Sequence, residues 1–359
     1  MRIQYVCWLG IWLLPTLGWA QDDSAERIVP IDSLKGKGEL VDGKREGRWL
    51  FFASNGQLAQ RGEFKDGKQT GEWQFFNPYG GLLGVGNYEN GVADGEWKIY
   101  YLEGQLKSIS YFDNGLRDST YTEFHYNGEP SVEGHYSADV QTGLWITYYE
   151  NGNVYSAGKY QNGLKDDLWK YYNSRSVLTS EGHYKLGLED GQWFQYYDTG
   201  QLESVGAYEM GEQDGRWGSF YPTGQLIQDE YWQMGLLRKL GPFFTIRGDS
   251  LSAGKFDNGF GERLTYFPKG ELASQVQYEN GLPNGSWTEY FEDGGKATVG
   301  QTQNGLPTGT WTYYFDNGKV ESTGAFAEGE KTGKWQYFSR SGRLLEVVDH
   351  SKEELTRVE

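Results

Sequence analysis

Between residues 38 and 346 the apolar positions fall in short runs, rich in aromatic and β-branched residues, and each run is closed by a glycine-centred polar turn. No stretch carries an apolar stripe of helical period longer than two turns, so strands are the expected element. The turns Asp42-Gly43, Asp66-Gly67, Asn90-Gly91, Asn114-Gly115 and Asn162-Gly163 are of the kind that closes two-residue hairpins. The pattern is periodic. Trp49, Trp73, Trp97, Trp145, Trp169, Trp193 and Trp217 stand on one 24-residue ladder, with Tyr121 on the rung they skip, and Trp287, Trp311 and Trp335 resume it.

Each repeat reads as two strands. A glycine two residues before the Trp (Gly47, Gly71, Gly95, Gly143, Gly191, Gly215) opens one. An aromatic three after it (Phe52, Phe76, Tyr100, Tyr148, Tyr172) lies near its end, and a second turn follows at Gly56, Gly80, Gly104 or Gly152. The next strand ends in Gly-x-Tyr/Phe, as at Gly62 with Phe64 and Gly206 with Tyr208. Glycine and ring two apart share a strand face, so a ring can lie over the bare backbone of a neighbour's glycine. Trp and the aromatic three later have opposite parity, which requires either different faces or an intervening bulge. A lone hairpin is marginal, so the repeats must stack to fold. The expectation is an all-β protein, an elongated ribbon or solenoid of about 13 stacked antiparallel hairpins with a 24-residue period.

The ends read differently. Residues 1–20, with Arg2, the apolar run Val6 to Leu17 and Gly18-Trp19-Ala20, form an expected signal peptide cleaved near Ala20. Residues 21–37 read as a polar linker, 38–346 as the repeat array and 347–359 as a charged tail. Such a chain is exported, to the periplasm, the outer membrane or the exterior. Cleavage removes Cys7, the one cysteine, and with it thiol and disulfide chemistry. The chain has 33 basic against 50 acidic residues and a formal charge of −17. That excludes a basic footprint for nucleic acid or an anionic membrane surface, and favours basic partners.

Three repeats depart from the template. Tyr121 and Ser119 replace Trp and Gly in one, Gly241 and Lys239 in another, and Arg263 takes the Trp position of a shortened third. Either the array tolerates drift, or residues 234–272 form a kink that divides it.

The residues Asn-Gly, Gly-x-Trp, paired aromatics, Asn-Gly and Gly-x-Tyr, best seen from Asn304-Gly305 through Phe326, resemble the MORN-repeat variant, the YwqK-type antitoxin repeat. The resemblance covers about 38–346. It implies hairpin ribbons that act as scaffolds or interaction surfaces, with no shared catalytic residues; the antitoxin label implies neutralising a partner toxin.

The residues themselves offer little chemistry. His125, His135, His183 and His350 are scattered, no nucleophile or phosphate-loop motif occurs, and no catalytic residue, cofactor or metal is expected. Asp94, Asp118, Asp166, Asp190 and Asp214 recur three before the Trp position, either as local turn acceptors or as an acidic rail. Tyr101, Tyr149, Tyr197 and Tyr221, four after it, form either an outward aromatic ladder able to stack on glycan or a second packed face. The turn asparagine is replaced by Leu186, Met210 and Met234 in three consecutive repeats, and Leu236, Leu237 and Leu240 extend the apolar run beside Trp232. Apolar turn tips suggest a patch for a partner, or the docking of a distorted repeat on its neighbours. The leading expectation is a non-enzymatic exported repeat protein that binds or scaffolds another protein of the envelope or exterior through Leu186, Met210, Trp232, Met234, Leu236 and Leu237. An immunity or antitoxin-like role and glycan binding are the alternatives.

Overall fold

A computed structural model describes residues 33–351. The expected leader at 1–20, most of the linker and the tail beyond 351 lie outside the described residues. The chain divides into two compact bodies, up to Val140 and from Gln141 onward. Both are antiparallel β-meanders of stacked hairpins.

In the first body the strands run from Lys35–Val41 and Lys44–Phe52 to Leu116–Phe124 and Pro130–Ser137. The first strand thus begins three residues before the expected start of the array. Its Gly36 and Gly38 lie beneath Phe51 and Trp49, which extends the glycine-under-ring pattern outward.

Asp42 and Gly43 both have positive φ (49° and 77°), as the tight hairpin turn requires. The glycine before each Trp has a different task. Gly71 (φ 62°) sits where Arg61 pairs Gln74 but Glu63 pairs Thr70, so the Trp strand carries a bulge there. This bulge aims the indole back over the neighbouring strand.

A Cβ on Gly62 would stand 2.3 Å from Trp73, and one on Gly86 2.1 Å from Trp97. Only a bare backbone lets the indole lie flat at that distance. The indole N–H then donates to the carbonyl ten residues back, Trp73 to Glu63 at 3.3 Å and Trp97 to Asn87 at 3.1 Å. Rings of the Gly-x-Tyr/Phe positions stand edge-on between successive indoles: Phe64 meets Trp73 at 5.2 Å and 86°, and Tyr88 meets Trp97 at 5.2 Å and 80°. The core of this body is that aromatic zigzag, with Phe51 and Phe75 on the same face. Trp49 and Phe51, two apart, share a face and stack at 5.8 Å. Phe52 turns to the other side at a shift of register, which answers the parity question.

The second body repeats this plan from Val140–Tyr148 to Leu236–Leu240. There Trp169, Tyr184, Trp193, Tyr208 and Trp217 alternate in edge contacts of 5.1–6.1 Å. The sheet then breaks. Phe243–Phe244 pairs only with Ser250–Leu251, and a separate nine-stranded sheet begins at Phe256–Asp257 and ends at Leu344–Asp349.

The break falls inside the 234–272 interval, and its cause is local. Glu230 occupies the glycine position and Gly241 the Trp position, so there is no ring to lie down and no bare backbone to receive one. Glu230 instead forms a largely buried ion pair with Arg263, which holds the Trp position of a later strand. Leu237, Val276 and Tyr278 fill the junction, with Trp232, Leu240, Phe256 and Trp287 packed against them. Leu237 N–H donates to Gly281 O at 3.2 Å across it.

The last strand runs three residues past the expected end of the array. Val347 and Val348 are β-branched and pair with Gln336 and Trp335, and the His350 ring lies edge-on to Trp335 at 6.4 Å. The charged-tail boundary at 347 therefore moves to beyond Asp349.

Candidate functional site

The hairpin turns of each body stack into an edge, and that edge is where the sequence departs from its own template. Each turn glycine donates its N–H to a carbonyl of the preceding repeat: Gly187 to Lys165 O (3.0 Å), Gly211 to Glu189 O (2.9 Å) and Gly235 to Gln213 O (2.9 Å). The acceptor three before the Trp adds a second tie. Asp214 Oδ1 accepts from Met234 N at 3.1 Å, as Glu46 does from Asp66 N at 2.9 Å and Asn284 from Asn304 N at 3.2 Å. Asp214, read from sequence as a local turn acceptor or part of a rail, thus caps the turn of the following repeat.

Leu186, Met210 and Met234 occupy the first position of these turns with φ of 52°, 52° and 46°. Side chains other than Asn, Asp and Gly are disfavoured there by about 1 kcal/mol or more. All three are exposed, at 67 %, 50 % and 48 %. Leu164 and Leu188, one residue past their turn glycines, are exposed beside them. Leu164 Cδ2 lies 3.4 Å from where a Cβ on Gly187 would stand, and Leu188 Cδ2 3.6 Å from the equivalent point on Gly211. The leucines therefore pave the gaps between turns. Sequence reading missed Leu164 and Leu188; their signal was the recurrence of an aliphatic after the turn glycine, seen also at Val92, Leu116 and Leu306.

The other residues expected in this patch separate from it. Leu237 is fully buried (0 %) in the junction core, and cannot offer a surface to a partner. Trp232 packs on the same core and donates its indole N–H to Glu230 Oε2 at 2.9 Å. Leu236 is half-buried, with its Cβ close over Gly281. The reason is the break between sheets, where the distorted repeat packs onto the next sheet. Leu186, Met210 and Met234 remain as the exposed part.

The tyrosine ladder stands on the opposite, glycine-turn edge. Tyr149 Oη donates to Tyr172 O (2.9 Å), Tyr197 to Phe220 O (2.7 Å) and Tyr221 to Phe244 O (3.0 Å); in the first body Tyr101 donates to Phe124 O (2.8 Å). Each ties one repeat to the next. Tyr221 is 5 % exposed, and burial pushes its hydroxyl up to about 12. Tyr101, Tyr149 and Tyr197 are half-buried, so the rings pack between repeats where an outward row had been one of the two expectations.

Other titratable groups serve the fold. Lys165 Nζ lies over Trp169 (4.5 Å) and Tyr184 (4.9 Å) and donates to Tyr171 Oη (2.7 Å), and burial lowers its pKa. Burial raises the hydroxyls of Tyr171 and Tyr184. His183 meets Asp167 at 3.4 Å on the surface. Among the described residues no group of three His, Cys, Asp or Glu is placed to hold a metal ion. On the face away from the indoles, Gly218 leaves a groove of about 470 Å³ between Val205, Phe220 and Leu226, with the Arg216–Asp229 ion pair at its rim.

The glycine-under-indole geometry recurs in register along the array. The profile of the MORN repeat variant matches residues 45–66, 93–114, 141–162, 189–209, 261–280 and 307–327. The chain belongs to the MORN repeat variant family. Its MORN-variant repeats continue between the matched stretches, as Trp73, Trp169 and Trp217 lie over Gly62, Gly158 and Gly206 in the same way. No curated protein matches the chain significantly. Among solved structures it is similar to the crystal structure of TcdB2-TccC3-TEV, at 11 % identity over 85 % of this chain and 19 % of that one, with a TM-score of 0.18. It is also similar to the Photorhabdus luminescens Tc holotoxin pore with the TccC3-D651A mutation, at 12 % identity over 90 % of this chain and 20 % of that one, with a TM-score of 0.13. The MORN-variant chain spans about a fifth of the length of these structures.

Proposed function

We propose that this MORN-variant protein is a non-enzymatic binding or scaffold protein that engages another protein through the turn edge formed by Leu164, Leu186, Leu188, Met210 and Met234. The observation that carries this reading is the double penalty at three consecutive turns. Each holds an apolar side chain at a φ that favours Asn or Gly, and each exposes it to water. The first body keeps Asp42, Asp66, Asn90 and Asn114 at the same position. Local rules broken together, with the backbone otherwise regular, are expected at a functional surface. Methionine suits such a surface, since its flexible thioether adapts to a partner's shape. The reading includes export, by a leader cleaved near Ala20, and a partner in the envelope or outside the cell.

The test is a cross-linking pull-down from envelope and culture fractions with the tagged mature protein beside a Met210→Glu/Met234→Glu variant. Both substitutions lie on exposed turns, and the variant should melt like the parent. A single identified protein captured by the parent and lost by the variant supports the reading. Equal capture by both would remove the turn edge from consideration. A captured protein that kills cells unless this chain is present would assign the antitoxin-like role to the same surface.

A further inference from the structure

We infer that the turn edge at Leu164, Leu186, Leu188, Met210 and Met234 receives a basic amphipathic α-helix of the partner, laid along the stacking direction; this rests on the protein-binding reading above. The first argument is spacing. Successive turns are two strands apart, about 9.6 Å at ordinary strand separation. Seven residues of α-helix rise about 10.5 Å. A helix with one apolar side chain per heptad therefore stays in step with the row, and the stretch from Leu164, beside the Asn162-Gly163 turn, to Met234 spans three such spacings and asks for about three heptads. The hydrogen bonds from Gly187, Gly211 and Gly235 to the preceding repeats hold that spacing fixed.

The second argument is what the edge lacks. A partner strand adds to a sheet through unpaired backbone groups, and here the amides of Gly187, Gly211, Gly235 and Met234 are already spent on the neighbouring repeat. Recognition must proceed through side chains, which is how an amphipathic helix docks. The leucines over Gly187 and Gly211 give it an apolar floor beside Leu186 and Met210, and the Glu212 carboxylate takes the equivalent place over Gly235, beside Met234.

The third argument is charge. Glu209 and Glu212 are exposed beside Met210, Lys185 stands beside Leu186, and the whole chain carries −17. The flanks of the helix are accordingly Lys- or Arg-rich, and the same acidity disfavours an anionic lipid surface.

The probe is a fluorescein-labelled 22-residue Leu/Lys peptide with leucines on one helical face at heptad spacing. Its controls are a composition-matched isomer with the leucines dispersed, a Leu/Glu version, and vesicles of phosphatidylcholine and phosphatidylglycerol. Binding is read by anisotropy at physiological salt and helix formation by circular dichroism. The expected result is binding of the amphipathic peptide with gain of helix, weakened at least about tenfold by Met210→Glu/Met234→Glu and separately by Leu186→Glu. Equal binding of the dispersed isomer, or of parent and variants, would overturn the helix and leave charge attraction alone. Binding to vesicles and not to the peptide would overturn it in favour of lipid. If no peptide binds yet the pull-down still loses its partner in the variant, the surface reading stands and the helix falls. If both experiments are blank, both fall.

Discussion

Adding one methyl group beneath an indole tests the central packing device of this fold. Gly182 lies under Trp193, and a Cβ there would stand 2.2 Å from Trp193 Cδ2. Carbon atoms pack at about 3.5–4.0 Å, so the ring must lift by more than about 1 Å. It has little room, since Tyr184 and Tyr208 hold it edge-on at 5.3 and 6.0 Å. Lifting also breaks the indole N–H bond to His183 O at 3.1 Å. Overpacking of this kind costs about 1–3 kcal/mol and the hydrogen bond about 0.5–1.5 kcal/mol. Gly182 has no positive φ, so alanine recovers about 0.4–1 kcal/mol from the unfolded chain. Gly182→Ala should therefore destabilise the protein by about 0.5–4 kcal/mol. In a Trp193→Ala background the same change should be neutral or slightly stabilising, which gives a coupling of about 1.5–4.5 kcal/mol. The assay is urea unfolding of the four members of the cycle, followed by far-UV circular dichroism. Hydrogen exchange should accompany it to locate the loss, because repeat arrays can open locally. A single variant within about 0.5 kcal/mol of the parent, or an additive cycle, would refute the account of glycine as a seat for the indole.

Three further outcomes follow from the same geometry. Trp287 faces Val276 where other indoles face glycine, and its N–H is buried without an acceptor, whereas Trp311 donates to Gln301 O at 3.0 Å. Trp311→Phe should cost about 1 kcal/mol more than Trp287→Phe in matched urea titrations. Glu230→Gln removes the carboxylate charge that faces the buried Arg263 and should cost about 3–5 kcal/mol, and Glu230→Leu/Arg263→Met should recover part of it; thermal melts of the set decide. Burial raises Tyr208 and Tyr221 from 10.0 to about 12, and burial with a Glu181 hydrogen bond does the same for Tyr196. The unfolded chain loses these protons first, so stability is intact below pH 10 and falls as pH rises from about 10 through 12; pH-jump denaturation with tyrosinate absorbance at 295 nm tests the direction.

The candidate surface was only half legible along the chain. Leu186, Met210 and Met234 stood out because polar turn positions had turned apolar, and that reading rested on local turn chemistry alone. Leu237 looked like part of the same run, yet it is fully buried, because a break in one sheet folds its strand against Val276 and Tyr278 some forty residues on. Leu164 and Leu188 escaped notice since an aliphatic after a hairpin turn is ordinary strand chemistry. The tyrosines were visible as a row, but their acceptors are backbone carbonyls 23 residues ahead, which carry no side-chain signature.

The sequence by itself determined the all-β class, the 24-residue hairpin repeat and the glycine-on-ring pairing, and it marked 234–272 as irregular while leaving drift and a break as alternatives. Those are set by turn chemistry and by steric rules between residues at fixed separation, so a period suffices to reveal them. Tertiary structure decided which face holds the indoles, which apolar residues stay exposed, and what fills the break. A bulge of one residue reverses the side a ring faces, and an ion pair such as Glu230–Arg263 joins positions 33 residues apart. Both depend on how strands stack, and stacking is a property of neighbours in space.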